Sequence, residues 1–287
     1  MTLPRLALAV IGDEIGPSLD EMISFCAEND VRRLDMRTVG GRNLMGMTLD
    51  EVAVVARTIE QAGLSVPTFV SPLLKWPMPG KEADGGKVDY AFDPATCPVD
   101  DPLVHAFDVA IVLKARKLRV FSHLRYPGYR PLDIVARFER LADLSGNYSV
   151  DLEIENEPVC NIGSVAELAA FFDEYPEPRP LTLKPLIDIA NSWSIGAPPG
   201  DADIDALVAH VDAIHLKDRD MTAKRTVPLG DGDIPWADEL RRLLRGVKVP
   251  EVLASIETHC GDDGRNATAR SVAALRRIAG EIGAEVV

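Results

Sequence analysis

The sequence predicts an α/β protein folded as a single (β/α)8 barrel over residues 1–287. Short runs rich in Ile, Leu and Val alternate with segments of helical periodicity, which favours a parallel sheet covered by helices. Eight such pairs follow one another, and eight units close a barrel. An open doubly wound sheet is the alternative, but the run 11–16 lacks the third glycine of its usual phosphate-binding turn.

The predicted strands and helices alternate in strict order along the chain. The strands are placed at 6–11, 33–39, 64–70, 118–123, 150–158, 181–189, 213–217 and 252–257. The helices are placed at 18–29, 48–62, 102–117, 131–144, 164–175, 204–210, 236–245 and 267–282. Two helices open on capping boxes, Thr48 with Glu51 and Ser164 with Glu167, in which the paired side chains satisfy free backbone N–H groups.

One long segment interrupts the alternation. Residues 71–101, between the third strand and the third helix, are rich in Pro, Gly and Asp and show no strand or helix period. Compact domains seldom carry so long an irregular loop unless it has a function. We predict that this segment, which includes Trp76, is a lid over the active site; a packed surface excursion is the alternative.

Composition excludes several classes of partner. The formal net charge is −14, from 31 basic and 45 acidic residues, and such a charge repels a nucleic-acid backbone. No run of about 18 apolar residues is present, so no membrane span is predicted. The four cysteines lack metal-binding spacing and are expected to be free thiols in a reducing compartment. We expect a cytoplasmic protein with a small-molecule substrate, and homodimer formation is left open.

Four polar residues lie near the C-terminal ends of predicted strands, which form the functional face of such a barrel. Within 150–158 the side chains alternate, so that Glu155 shares one face with other acidic residues. Asp188, His215 and Glu257 follow at the ends of later apolar runs. Three carboxylates and one imidazole favour a site for one divalent cation. Mn²⁺, Mg²⁺ or Co²⁺ suits the oxygen-rich set, and the imidazole also admits Zn²⁺.

Several motifs resemble those of the xylose isomerase-like barrel superfamily, the sugar phosphate isomerase and epimerase group, over nearly the whole chain. They are Glu-Asn-Glu-Pro at 155–158, Asp-Ile-Ala-Asn at 188–191, His-Leu-Lys-Asp at 215–218 and Pro-Leu-Gly-Asp-Gly-Asp-Ile-Pro-Trp at 228–236. The resemblance implies one divalent cation bound by Glu155, Asp188, His215 and Glu257. It also implies that Glu155 and Glu257 are the acid/base pair of an isomerase or epimerase. Such an enzyme moves a proton beside the carbonyl of a sugar or cyclic polyol ketone through an enediolate.

Further residues near strand ends are candidates for binding the substrate. Lys217 shares a strand face with His215, and Arg219 lies just beyond it, where an arginine can hold a hydroxyl or an anionic group. The other candidates are Arg37, Lys75, Trp76, His123 and Asn191.

Two polar residues close in sequence to the candidate ligands are not assigned to the site. Glu153 lies one layer below Glu155 on the same face, where a carboxylate needs a basic partner such as Arg119. His259, two residues beyond Glu257, is interpreted as an ordinary polar residue with only a modest prospect of reaching the site.

Two other kinds of function stay open from the sequence. One is a metal-dependent lyase, dehydratase or hydrolase, since this fold carries many chemistries. The other is a barrel that binds sugars without catalysis, although the presence of both glutamates disfavours it.

Overall fold

The computed structural model describes residues 3–85 and 92–287 and confirms the predicted barrel. Within these ranges the strands are β1 (Arg5–Ile11), β2 (Leu34–Asp35), β3 (Thr38–Val39), β4 (Arg42–Asn43), β5 (Thr68–Phe69), β6 (Lys117–Val120), β7 (Asp151–Glu155), β8 (Leu183–Asp188), β9 (Ala213–Leu216), β10 (Asp218–Asp220), β11 (Arg225–Val227) and β12 (Glu251–Ile256). Eight of them form one parallel sheet in the order β2-β1-β12-β9-β8-β7-β6-β5. Single bridges, Arg33 with Ser65 and Met36 with Phe69, join its two edges and nearly close the barrel.

Helices surround the sheet as predicted. They are α1 (Leu19–Glu28), α2 (Leu49–Gln61), α3 (Pro102–Leu113), α4 (Val135–Tyr148), α5 (Val165–Glu174), α6 (Ile189–Ser194), α7 (Asp201–Leu207), α8 (Trp236–Gly246) and α9 (Gly264–Ile282). Both predicted capping boxes are confirmed: the Thr48 and Ser164 hydroxyls accept from the N–H groups of Glu51 and Glu167 at 3.3 and 3.1 Å. Among the helices of the described residues, none is long and apolar enough to cross a membrane.

The second and third barrel strands are shorter than predicted. Only Leu34–Asp35 and Thr68–Phe69 pair as strands, where 33–39 and 64–70 were expected. Pro67 has no N–H to give to a ladder. Beside it, the Asp35 carboxylate accepts from the Thr68 N–H at 2.9 Å, in the place of a backbone carbonyl. A side chain therefore replaces part of the expected ladder.

Helix α6 was not predicted. Its start at Ile189 also ends the strand that was expected over 181–189 one residue early, at Asp188. The helix begins directly after Asp188, whose side chain caps it by accepting from the Asn191 N–H at 2.8 Å. The helix predicted at 204–210 begins earlier, at Asp201, and continues into a 3-10 turn at Val208–His210.

The predicted lid is described only in part. Of residues 71–101, those at 71–85 and 92–101 are irregular apart from the 3-10 turn Pro94–Thr96, and 86–91 lie outside the described ranges. Trp76 packs against Phe92 with ring centres 6.2 Å apart, so the two described arms of the segment contact each other. Closure over the site stays a prediction.

The alternation of β1 shows how the barrel divides the core. Leu6, Leu8 and Val10 belong to the main apolar core, whereas Ala7 and Ala9 belong to a separate, inner cluster. The other buried members of that cluster are Leu186, Ala213 and Leu253. Each of these three precedes a predicted site residue by two or four positions on the same strand face. The pattern that builds this apolar floor therefore also directs Asp188, His215 and Glu257 into the barrel.

Candidate metal centre and active site

Four predicted ligands meet at the carboxyl ends of four strands. Glu155 ends β7, Asp188 ends β8, His215 lies in β9, and Glu257 follows β12. All four are buried, and one ligand atom from each lies within 4.8 Å of the others. A cation with ligands at about 2.1 Å separates opposite ligands by roughly 4 Å, so the spacing is close to that of a single-ion site.

Arg119 fixes one oxygen of Glu155. Its Nη1 donates to Glu155 Oε2 at 3.0 Å, and both side chains are fully buried. Its other nitrogens donate to the carbonyls of Val70 and Ser71, and the guanidinium lies over the Phe121 ring, 4.4 Å from its centre. Because the arginine is held on several sides, it orients Glu155 so that Oε1 faces the other ligands.

Two cationic groups hold the outer oxygen of Glu257. Its Oε1 accepts from Arg37 Nη1 at 3.2 Å and lies 3.3 Å from His259 Nε2. Arg37 also donates to Glu14 at 2.7 Å, and His259 Nδ1 lies 3.2 Å from the same carboxylate. Arg37 and His259 therefore bridge the two acidic residues and leave Glu257 Oε2 facing the centre.

A backbone N–H and two asparagine side chains fix the orientation of Asp188. Its Oδ1 accepts from the Asn191 N–H at 2.8 Å. The Asn156 side chain accepts from the Asp188 N–H at 2.9 Å and donates to its carbonyl at 2.8 Å. The Asn191 amide donates in turn to the Asn156 carbonyl at 2.8 Å. Asp188 is thereby fixed with Oδ2 directed to the centre.

The inner atoms converge on one point. His215 Nδ1 lies 3.0 Å from Glu155 Oε1 and 3.6 Å from Glu257 Oε2. Lys217 Nζ joins the group, 2.5 Å from Asp188 Oδ2 and 2.7 Å from Glu257 Oε2. Each carboxylate thus has one oxygen fixed from outside and one left for the centre, as metal ligands with supporting hydrogen bonds do. The donor set fits a divalent cation that accepts oxygen and imidazole ligands.

The charges of this cluster shift the pKa values of its members in opposite directions. Burial would raise the pKa of Glu155, but His215 and Arg119 outweigh burial and lower it to about 2. Burial would lower the pKa of His215, but Glu155 and Glu257 raise it to about 10. Against the effect of burial, Lys217 and His259 hold the pKa of Glu257 well below its usual range. Both glutamates are therefore ionised at neutral pH, and a bound cation would replace the proton of His215.

A cavity of about 360 Å³ opens beside the ligands. Four of the residues predicted to bind substrate line it: Lys75, Asn191, Lys217 and Arg219. Glu157 and His259 also line it, and Glu157 lies 3.4 Å from Lys75 Nζ. Many hydrogen-bond donors on a small cavity wall suit a small, hydroxylated molecule.

The other three predicted substrate residues lie outside that cavity wall. Arg37 belongs to the group around Glu257. The His123 Nδ1 lies 3.2 Å from the Trp76 carbonyl, and their rings meet edge to face with centres 6.5 Å apart. His123 has a left-handed backbone with φ of 59°, a strained conformation for this residue that often marks functional sites. A substrate contact by His123 or Trp76 stays a prediction.

The predicted partner of Glu153 was wrong. Glu153 accepts from Lys117 Nζ at 2.6 Å, whereas Arg119 is bound to Glu155. The backbone ladder does place Arg119 opposite Glu153. However, inward residues of neighbouring tilted strands lie at different heights, so the arginine reaches the next acid along the strand.

Two residues outside the predicted set of site residues complete the site. Glu14 follows β1 at the same face of the barrel and accepts from the His259 N–H at 2.7 Å. The rule that strand ends carry function could have found Glu14, since it comes just after the first strand. His259 was given only a modest prospect of reaching the site; its backbone is left-handed, with φ of 48°, and its ring lies 3.3 Å from Glu257 Oε1.

A parallel eight-stranded barrel with a buried polar centre at its carboxyl ends places this protein among the TIM barrels. The family model described as xylose isomerase-like TIM barrel matches residues 101–278, more than half of the chain. The protein therefore belongs to the xylose isomerase-like TIM barrel family. Comparison with curated proteins gave no match.

Solved structures with the same fold include a zinc-binding protein, an epimerase and a probable dehydratase. The IOLI protein with a bound zinc atom is 13% identical, with a TM-score of 0.71 over 96% of this chain and 99% of that one. The D-allulose 3-epimerase from Methylomonas sp. is 16% identical, with a TM-score of 0.70 over 97% and 100% of the two chains. The probable 3-DHS dehydratase AsbF from Bacillus anthracis is 16% identical, with a TM-score of 0.68 over 94% and 98%. At these identities the likeness shows the fold alone.

Proposed function

We propose that this protein is a divalent-metal-dependent isomerase or epimerase of a sugar or a related cyclic polyol ketone. The observation that carries the proposal is the convergence of four inner ligand atoms, while the outer oxygen of every carboxylate is held by another donor. Family membership supports it, as does the epimerase named among the similar structures.

A cation held by Glu155, Asp188, His215 and Glu257 would act as a Lewis acid on a substrate carbonyl oxygen. The proton transfers fall to the chain itself. Glu155 and Glu257 project from the ends of β7 and β12, which two other strands separate. They can therefore approach a substrate carbon from two directions, one taking the proton beside the carbonyl and the other returning it.

The surrounding basic residues prepare these two glutamates and the substrate. Arg119 and Arg37 keep both carboxylates oriented and ionised, so that each is ready to accept a proton. Lys217 and Arg219, on the cavity wall, are placed to donate hydrogen bonds to hydroxyl or anionic oxygens of a bound molecule.

A lyase that removes water is the second candidate, because one similar structure is named a probable 3-DHS dehydratase. It would begin with the same proton abstraction. The outcome differs only in whether a hydroxyl on the neighbouring carbon then leaves, so the two candidates share the roles given to Glu155 and Glu257.

Solvent deuterium incorporation tests the proposal. Protein loaded with Mn²⁺, with its metal content measured, is incubated in D₂O with a panel of ketoses and inosose-type cyclic ketones and followed by NMR. We expect deuterium beside the carbonyl and the appearance of an isomer, whereas loss of water would identify the dehydratase. Glu155→Ala is the control and should hold no metal and exchange no proton. Metal-loaded wild type that changes no member of the panel would contradict catalysis and favour a sugar-binding barrel.

A further inference from the structure

Lys217 makes contacts that set it apart from the other basic residues of the site. It lies two residues beyond His215, and its side chain is only 6% exposed. Its ammonium contacts two of the proposed ligands, Asp188 and Glu257, at 2.5 and 2.7 Å. Arg37 and Arg119, by contrast, hold the outer oxygens of Glu257 and Glu155.

The two oxygens that Lys217 contacts are the ones that the site leaves for a cation. Asp188 Oδ1 accepts from the Asn191 N–H, so Oδ2 is the oxygen left to bind a metal, and Lys217 contacts Oδ2. On Glu257, Oε1 is held by Arg37, and Lys217 contacts Oε2. The lysine therefore uses the same acceptor atoms that a divalent cation would need.

We propose that the Lys217 ammonium is an internal competitor of the divalent cation and weakens metal binding by the site. This inference rests on the metal site of the proposed function. A cation about 2.1 Å from Asp188 Oδ2 would lie within roughly 5 Å of an ammonium that stays 2.5 Å from that oxygen. In so buried a place the two positive charges repel strongly if the ammonium remains. If the ammonium moves away, its contacts with Asp188 and Glu257 are lost; in both cases metal binding is weakened.

The competition has a second consequence for the cavity. Lys217 lines the cavity wall, so an ammonium released from Asp188 and Glu257 has the cavity to turn into. There it can donate to an oxygen of the substrate. Metal binding thereby frees a substrate-binding group, and without the metal the lysine neutralises carboxylates that would otherwise repel one another.

Metal affinity measured at one pH tests the competition directly. Mn²⁺ binding is followed by calorimetry for wild type, Lys217→Met, Lys217→Arg and Lys184→Met. Lys184 is the matched control, because it too is a lysine shared by two carboxylates, Asp151 and Asp212, in the same barrel. We expect Lys217→Met to bind Mn²⁺ at least about 10-fold more tightly than wild type. Lys184→Met should stay within about 3-fold, and Lys217→Arg should show no gain.

The outcomes separate this inference from the proposed function. Unchanged or weaker Mn²⁺ binding by a folded Lys217→Met protein, with wild type binding normally, would overturn the competition and leave the metal site intact. Binding of Mn²⁺ by neither protein would overturn both.

A second measurement uses wild type alone, so it does not require that any variant folds. Acetylation by acetic anhydride is followed by peptide mass spectrometry with and without Mn²⁺. We expect Mn²⁺ to speed modification of Lys217 and to leave Lys184 unchanged, because the metal releases only the former from its carboxylates. A Lys217 rate that Mn²⁺ does not raise would also refute the competition.

Discussion

Two groups of charges lie inside the same barrel, one above the other. The upper group is buried and forms the candidate site, whereas the lower one is partly exposed apart from Glu153. The upper group consists of the four candidate ligands with Lys217, Arg119 and Arg37. The lower network consists of two lysines and three acids, Lys117, Lys184, Asp151, Glu153 and Asp212. The two share strands: Glu153 precedes Glu155 by two residues, and Lys117 precedes Arg119 by two.

The difference lies in how the acceptor atoms are used. In the lower network Lys117 joins Glu153 to Asp212, and Lys184 joins Asp212 to Asp151, so each lysine closes a contact between two acids. No imidazole takes part in these contacts. In the upper group Arg119, Arg37 and the Asn191 N–H hold the outer oxygens, and the inner oxygens converge on one point with His215 and Lys217. Glu153 is as deeply buried as Glu155, so burial of a carboxylate does not by itself distinguish a site from a structural network; the direction of the carboxylates does.

Substitution of one glutamate in each group by glutamine should give the largest difference between the two groups. Glu257→Gln removes a group that must exchange a proton, so proton exchange should fall by about 10²–10⁴-fold while the fold is kept. Glu153→Gln changes the same functional group in the lower network and should leave exchange within a few-fold of wild type. The deuterium assay measures both, and circular dichroism checks folding. Equal losses in the two variants would show that the lower network also belongs to the active site.

A second pair of substitutions, one in each group, separates effects on metal binding from effects on stability. Asp188→Asn keeps the oxygen that caps α6 but removes the inner charge, so the single equivalent of metal expected of wild type should be lost. Asp212→Asn weakens contacts to Lys117 and Lys184 in the partly exposed lower network. It should cost about 2–3 kcal/mol of unfolding free energy and leave the metal content unchanged. Plasma mass spectrometry and urea unfolding provide the readouts. Metal loss from Asp212→Asn without unfolding would contradict the division.

The strand-end rule explains which parts of the upper group could be predicted from the sequence. Glu155, Asp188, His215 and Glu257 end apolar runs, and the period of a strand fixes the face on which each lies. The pairing of the basic residues could not be predicted in this way. Lys117 and Arg119 lie opposite Asp151 and Glu153 in the ladder, yet each contacts an acid two residues further on.

The remaining differences between expectation and structure have local causes. Tilt of the strands sets the positions along the barrel axis at which side chains of neighbouring strands meet, and this tilt cannot be predicted from the pattern of residues. A side-chain contact, from Asp35 to the Thr68 N–H, replaced part of a predicted ladder. The cap that Asp188 supplies started a helix where a strand was expected to continue. In the last two cases a polar side chain competed with the backbone pattern from which the prediction was made.

Substitution of Arg119, which supports Glu155, tests whether the two groups differ in their effect on metal affinity. Arg119→Met removes the donor that fixes Glu155 Oε2, and loss of such a supporting bond lowers metal affinity by about 10–100-fold. Lys117→Met, two residues earlier on the same strand, removes a positive charge from the lower network and should leave affinity nearly unchanged. Calorimetry with Mn²⁺ measures both. A larger loss in Lys117→Met would show that the networks are coupled.

Glu14, which Arg37 and His259 join to the upper group, and Glu153 of the lower network should respond to pH in opposite directions. Burial would raise the pKa of Glu14, but His259 and Arg37 outweigh it and lower the pKa from 4.5 to about 2. A folded-state pKa below the unfolded value means that Glu14 stabilises the fold above about pH 4.5, and that this contribution is lost as the pH falls toward about 2. The difference in stability between wild type and Glu14→Gln, measured by urea unfolding, should therefore change below about pH 4.5 and stay constant from there to about pH 6.5, above which the titration of His259 also contributes.

For Glu153 the sign is reversed. Burial outweighs the Lys117 ammonium and raises its pKa from 4.5 to about 7. The contribution of this carboxyl to stability is present below about pH 4.5 and is lost as the pH rises through about 7. Between about pH 5 and pH 8, wild type should lose on the order of 2–3 kcal/mol of unfolding free energy relative to Glu153→Gln, as measured by urea unfolding. A constant difference across that range would mean that Lys117 keeps Glu153 ionised throughout, and the lower network would then be a plain set of ion pairs.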